Sequence, residues 1–384
     1  MVAAAPRARP DSRRVDKPGR AFQNRDEHRG GTGMTQDRDI ICEVRGSAGF
    51  VVLNRPKALN ALNLEMVRAL AEALDAWEDD PAVTRVVVTG AGEKAFCAGG
   101  DIRTLHDLGK AGRHDEMLAF WREEYVLNAR IQGYSKPYVA LVDGIVMGGG
   151  VGLSLHGSHR VAGERWLFAM PEVGIGFFPD VGATYALPRL PDRVGTYLAL
   201  TGDRVGQADA LALGLATHAV PSGAMAQLAD ALTGPEPVDA AIARFAVETG
   251  PGKIWNERQA IAQCFGAATL PDVVARLTAA AEAGNVFAGK ALATIRAKSP
   301  TSVAIAFEQM RRGASLGFGE AMQLEFRIVS RIPKGHDFYE GVRAVVIDKD
   351  QSPTWRPAAL EELDPEAVAA YFAPLGASEL ALDA

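Results

Sequence analysis

The chain has 384 residues, 48% hydrophobic and 23% charged, with 41 basic against 47 acidic side chains and a formal net charge of −6. That length supports one large core with an attached helical region, or two modest domains. The acidic balance argues against a nucleic-acid partner, and no apolar run approaches the ~20 residues that span a bilayer, so no membrane partner is expected. Cys42, Cys97 and Cys264 are the only cysteines and none lie in a CxxC pair. They make neither a disulfide framework nor a cysteine metal site, and a reducing compartment fits them.

Residues 1–33 carry seven arginines and one lysine against four acids and lack apolar periodicity. They are expected to be a disordered extension outside the fold. The segment has no apolar core of a secretory signal. The expected location is therefore cytoplasmic, or the mitochondrial matrix if this extension is a presequence. Residues 39–45 and 49–54 read as two short strands turning at Gly46-Ser47. Asn63 then caps a helix with the stripe Leu64, Val67, Leu70, Ala71, Leu74 and Trp77, ending before Pro81. The run 85–90 reads as a buried strand, residues 113–131 as a second helix and 137–143 as another strand. A helix begins after Gly148-Gly149-Gly150, and Arg160-Val161-Ala162 returns to strand. Beyond about residue 190 alanine and leucine dominate and helices outnumber strands. The expected division is a β/α core over 34–230 and a mostly helical region over 231–384.

Three features carry chemistry. The cluster Gly148-Gly149-Gly150 lets backbone N–H groups approach a ligand closely ahead of a helix N-terminus. Such a loop can cradle a phosphate, hold an oxyanion, or serve only to pack a strand against a helix. A second small-residue loop, Ala95 to Ile102, is a candidate for the other donor of an oxyanion hole. Cys97 within it reads as a small packed thiol, since no histidine is placed to activate it. Third, Glu172 and Asp180 stand among apolar and glycine residues, where burial raises carboxyl basicity and suits general acid–base work. A helix cap or a structural ion pair accounts for them equally well at this point. Residues 284–290 begin like a P-loop, but Ala291 replaces the Ser/Thr and no strand precedes.

Residues 40–225 resemble the crotonase (enoyl-CoA hydratase/isomerase) superfamily, and the details resemble its 3-hydroxyisobutyryl-CoA hydrolase branch. The markers are Asn54 to Leu62, Ala95 to Asp101, the triple glycine, Met170-Pro171-Glu172, Phe178 to Gly182 and Leu200-Thr201-Gly202. Glu340 to Ala344 and Ile347 to Asp350 extend the likeness beyond the core. The resemblance implies an α/β fold, a crotonase-like spiral of strand–strand–helix units with a helical C-terminal region completing an acyl-CoA site. It implies backbone N–H donors at Ala98 and Gly149, no cofactor and no metal, and leaves a homo-oligomer open. Hydratases of this kind carry a glutamate where this chain has Gly152, which makes efficient hydration doubtful. The hydrolase branch's set maps onto Glu124, Gly149, Glu172 and Asp180. Glu172 is implied as nucleophile or base, with Asp180 and Glu124 binding a 3-hydroxyl or orienting water. Lys57 and Arg103 are candidates for the CoA phosphates.

Overall fold

Strands β1 (Ile40–Arg45) and β2 (Ala48–Leu53) pair antiparallel with Arg45 opposite Ala48, so Gly46-Ser47 is the hairpin turn. Helix α1 (Leu64–Glu78) follows, and the Asn63 side chain accepts the Met66 N–H at 2.9 Å. Its buried face is Met66, Val67, Leu70, Leu74 and Trp77, and each such side chain contributes roughly 1.5–3 kcal/mol of hydrophobic stabilisation. Leu64 and Ala71 sit at the margin of that face. Asn63→Ala is expected to cost about 1 kcal/mol, read as a lower denaturation midpoint at unchanged slope.

The computed structural model describes residues 38–382, and the expectation made for residues 1–33 lies outside them. From Arg38 onward the chain forms one compact unit. Its core repeats one motif three times. Strand β3 (Arg85–Gly90) is followed by β4 (Ala95–Cys97), β5 (Tyr138–Val142) by β6 (Ile145–Met147), and β7 (His159–Ala162) by β8 (Leu167–Ala169). The first strand of each pair enters a six-stranded sheet and the second a smaller, four-stranded one. Two-residue strands β9 (Val205–Gly206) and β10 (His218–Ala219) complete them, giving orders β1-β2-β3-β5-β7-β10 and β4-β6-β8-β9. Beyond the β1–β2 hairpin the large sheet is parallel. Helices α2 (Ile102–Lys110) and α3 (His114–Gln132) follow β4, and α4 (Gly149–Ser154) follows β6. The strand–strand–helix spiral is thus present.

Alternation along the strands explains why the sheet is covered on both faces. Val86 and Val88, like Tyr138, Ala140 and Val142, face the main core. Val87, Val139 and Leu141 face a second cluster with Leu228, Leu232 and Ile242. Strands β9 and β10 escaped the sequence reading because two residues carry no period. After residue 220 the described chain is helical, and its segment 284–290 is a helix start capped by Asn285, not a phosphate loop.

Candidate active site

The segment 59–62 runs beside 98–101, joined by Ala98 N–H to Leu59 O (3.0 Å), Leu62 N–H to Gly99 O (2.8 Å) and Asp101 N–H to Leu62 O (2.7 Å). Arg55 ties the same loop to Asp101 at 3.1 Å, and buried Asn60 donates to the Ala91 and Ala95 carbonyls, 2.9 Å each. Of the N–H groups of residues 98–101, the zipper takes those of Ala98 and Asp101 and leaves those of Gly99 and Gly100. Gly100 N–H and Gly149 N–H have no partner among the described residues. They are close, because a Cβ added to Gly149 would lie 3.5 Å from Gly100 N. Gly148, at φ 45°, turns the chain into α4 with a backbone that only glycine adopts easily. The donor expected at Ala98 is corrected here. Ala98 lines the cavity, but its N–H is committed to Leu59, and Gly100 presents the open donor.

These loops form one wall of a cavity of about 560 Å³. Glu124, Glu172 and Asp180 line it, with Phe120, Trp121 and Phe177 as an aromatic wall in which Trp121 stacks on Phe177 at 5.5 Å. The structure thus brings Gly149, Glu172, Asp180 and Glu124 to one place. The two glutamates flank the glycines. A Cβ on Gly149 would meet Glu124 Oε1 at 2.5 Å, and one on Gly148 would meet Glu172 Oε1 at 3.5 Å. Glu124, Glu172 and Asp180 are each at most 6% exposed. Glu124 Oε1 and Glu172 Oε2 are buried with no partner among the described residues. Asp180 Oδ2 accepts the Tyr125 hydroxyl at 2.8 Å.

Burial disfavours the charged form of every one of these acids. It pushes Asp180 up to about 7 despite the Tyr125 hydroxyl, which acts in the opposite sense. Glu172 is raised well above the ordinary carboxyl range by burial and then by Asp180. Glu124 is raised by burial, Asp180 and Glu325. Glu325, wholly buried on the helix Phe318–Val329, is pushed up to about 8. Acids this close titrate as a set.

The sequence reading missed Tyr125, Glu325 and the two basic residues on the cavity wall, Arg204 and Lys298. One signal for Glu325 was available: it interrupts the apolar run Ala321, Met322, Leu324, Phe326 and Ile328. Burial pushes the Lys298 ammonium down. Lys57 and Arg103 do not line this cavity. Lys57 lines a separate shallow pocket with Leu59 and Lys94, while exposed Arg103 follows the cavity residue Ile102. The C-terminal region supplies Ala297, Lys298, Val345, Gln351 and Pro353 to the wall. Arg343 fixes that last stretch through Glu340 (2.9 Å), Asp348 (2.8 Å) and Asp350 (2.6 Å). Cys97 is wholly buried with its thiol pushed up to about 12, so it is a packed thiol and not a nucleophile.

Gly152 has no room for a carboxylate. A Cβ there would meet the wholly buried Asn128 amide at 2.6–3.0 Å. Gly152→Ala is accordingly expected to cost about 1–3 kcal/mol by overpacking, read as a lower Tm.

The family model described as Enoyl-CoA hydratase/isomerase matches residues 48–372. A 3-hydroxyisobutyryl-CoA hydrolase, mitochondrial, of Xenopus tropicalis is 46% identical over 359 residues, spanning 90% of this chain and 92% of that protein. Among solved structures, a carnitinyl-CoA dehydratase from Mycobacterium thermoresistibile matches with TM-score 0.85 at 42% identity, over 90% of this chain and 99% of that one. An enoyl-CoA hydratase from Rhodobacter sphaeroides 2.4.1 matches with TM-score 0.84 at 42% identity, over 90% of this chain and all (100%) of that one. By the extent of the model match and the identity to these relatives, the chain belongs to the enoyl-CoA hydratase/isomerase family.

Proposed function

We propose that the protein is an acyl-CoA thioester hydrolase, converting 3-hydroxyisobutyryl-CoA, a step of valine breakdown, to the free acid and CoA. The observation that carries this reading is the pairing of two open N–H groups, Gly100 and Gly149, with the unpartnered Glu172 carboxyl oxygen at one cavity. A thioester carbonyl seated on the two N–H groups develops negative charge on its oxygen as the carbon is attacked. Donors already in place stabilise that charge without reorganisation. Glu172 supplies the attack, either directly, giving a mixed anhydride that water then opens, or by taking a proton from water. In both routes the C–S bond breaks, water provides the new oxygen, and the thiolate of CoA leaves and is protonated. Asp180 and Glu124 take the substrate's 3-hydroxyl or orient the water.

Hydration, or the reverse dehydration, is the second reading, after the solved relatives named an enoyl-CoA hydratase and a carnitinyl-CoA dehydratase. It needs a carboxylate at position 152 as well as at 172, and the Asn128 side chain fills that space. Residues 231–384 complete the acyl-CoA site over the 34–230 core, a role supported by the five C-terminal residues on the cavity wall. Arg204 and Lys298 meet the CoA phosphates nearest the cavity, and Lys57 and Arg103 those farther out. The location proposed is a reducing compartment, the cytoplasm or the mitochondrial matrix, the latter in keeping with the relatives named mitochondrial. No helix among the described residues is long and apolar enough to cross a membrane.

The test is CoA release, followed with a thiol reagent across short 3-hydroxyacyl and enoyl thioesters. Release from 3-hydroxyisobutyryl-CoA at the highest kcat/KM supports the reading. Hydration of the enoyl thioesters without thiol release would sink it.

A further inference from the structure

Asp180 stands at the start of an unfavourable turn. Val181 has φ 52°, a left-handed backbone that a β-branched residue adopts only when its surroundings impose it. Three side chains from distant parts of the chain impose it here. Glu325 accepts the Gly182 N–H at 2.8 Å with one carboxyl oxygen and the Thr184 N–H at 2.9 Å with the other. Gln309 donates to the Pro179 carbonyl and contacts the Thr184 hydroxyl. His156 Nε2 lies 2.7 Å from the Val181 carbonyl, which can only accept, so Nε2 carries the proton. Burial pushes this imidazole down to about 4, so it is neutral, and Phe318 packs against it edge-on at 4.7 Å. Gly182 tolerates no side chain, since a Cβ would fall 2.4 Å from His156 Nε2.

Glu325 is 0% exposed, and no cation pairs with it among the described residues. A lone buried acid of this kind is costly unless its oxygens are satisfied, and here both bind the turn that carries Asp180. We propose that Glu325 is a positioning residue: with Gln309 and His156 it clamps residues 179–184, so that the Asp180 carboxyl stands at the cavity in the geometry that thioester hydrolysis requires. The inference rests on the hydrolase reading above. Glu325 does not line the cavity, and its hydrogen bonds reach the site through the turn that carries Asp180.

That dependence gives the test, a double-mutant cycle on CoA release by the full chain. Glu325→Gln keeps the side-chain shape but turns an NH₂ toward one of the two N–H groups. It is expected to lower kcat about 10–100-fold with KM within about twofold, as displacement of a catalytic group by about 1 Å does. In an Asp180→Asn background the same substitution is expected to change the residual kcat less than about twofold, because the group it positions is gone. An equal loss in both backgrounds, or no loss in the parent, overturns the proposal. Should Glu325→Gln fail to fold, Gln309→Met enters the same cycle, with the same non-additivity expected and the same additivity fatal. A parent protein that releases no CoA from any thioester removes the hydrolase reading and this inference with it. A parent that does, with additive losses, removes the inference alone.

Discussion

Glu172→Gln is expected to lower kcat for CoA release by about 10³-fold, within the ~10²–10⁴-fold that one positioned acid or base supplies. KM is expected to stay within a few-fold, because the N–H pair at Gly100 and Gly149 and the aromatic wall are untouched by the change. Glu172 Oε2 is buried, unpartnered and on the cavity wall, while Oε1 lies against the Gly148 turn. A buried carboxyl oxygen left without a donor is a liability to stability unless a substrate or a water completes it. Burial beside Asp180 also raises its proton affinity, which strengthens it as a base once ionised. Glutamine keeps the volume and removes both the negative charge and the ability to hold a proton. Stopped-flow thiol detection with the substituted enzyme decides the matter: a kcat within about twofold of the parent would remove Glu172 from the reaction.

The framework of the site was legible because it is written in backbone chemistry. The Asn63 cap, the Gly46-Ser47 turn and the runs 85–90 and 137–143 each follow from local propensity and period, and the sheet realises them, the last as Tyr138–Val142. Glycines at 148–150 announced a close backbone approach, and the approach within the chain is to Cys97, Gly99 and Gly100. Which N–H group faces the cavity was not legible, since it depends on the 59–62 segment taking Ala98 as its partner. For Glu325 the sequence showed only an acid among apolar helix residues; the turn it binds lies 143 residues away and was not legible. Lys298 and Arg204 are equally silent in sequence, because an isolated basic residue carries no period. Arg343, within the marker 340–344, proved to be an ion-pair staple for the 348–353 segment, a structural role that motif matching alone does not separate from a catalytic one.

Asp180→Asn is expected to lower kcat about 10²-fold while making the fold less sensitive to alkali. The loss of rate follows from the role of the carboxylate in holding the substrate hydroxyl or water. The amide still accepts the Tyr125 hydroxyl but carries no charge. The effect on stability follows from linkage. Burial lifts the Asp180 carboxyl to about 7, whereas in the unfolded chain an aspartate titrates near ~3.9. Over that interval the folded protein holds a proton that the unfolded chain has released. The group's stabilising contribution is therefore complete below about pH 4 and is lost as pH rises through about 7. Asparagine has no proton to lose, so the Tm of the variant should gain on the parent between pH 5 and pH 8. The site acids titrate as a set, so the parent's kcat should rise with pH as the set ionises, and removal of Asp180 from it should move that limb in the variant. A site residue exchanged for its amide thus trades activity for stability, the pattern of a group kept for function at the expense of the fold. A parent whose Tm is flat from pH 5 to pH 8, or a variant that retains the full rate, would show that the buried carboxyl at 180 does neither.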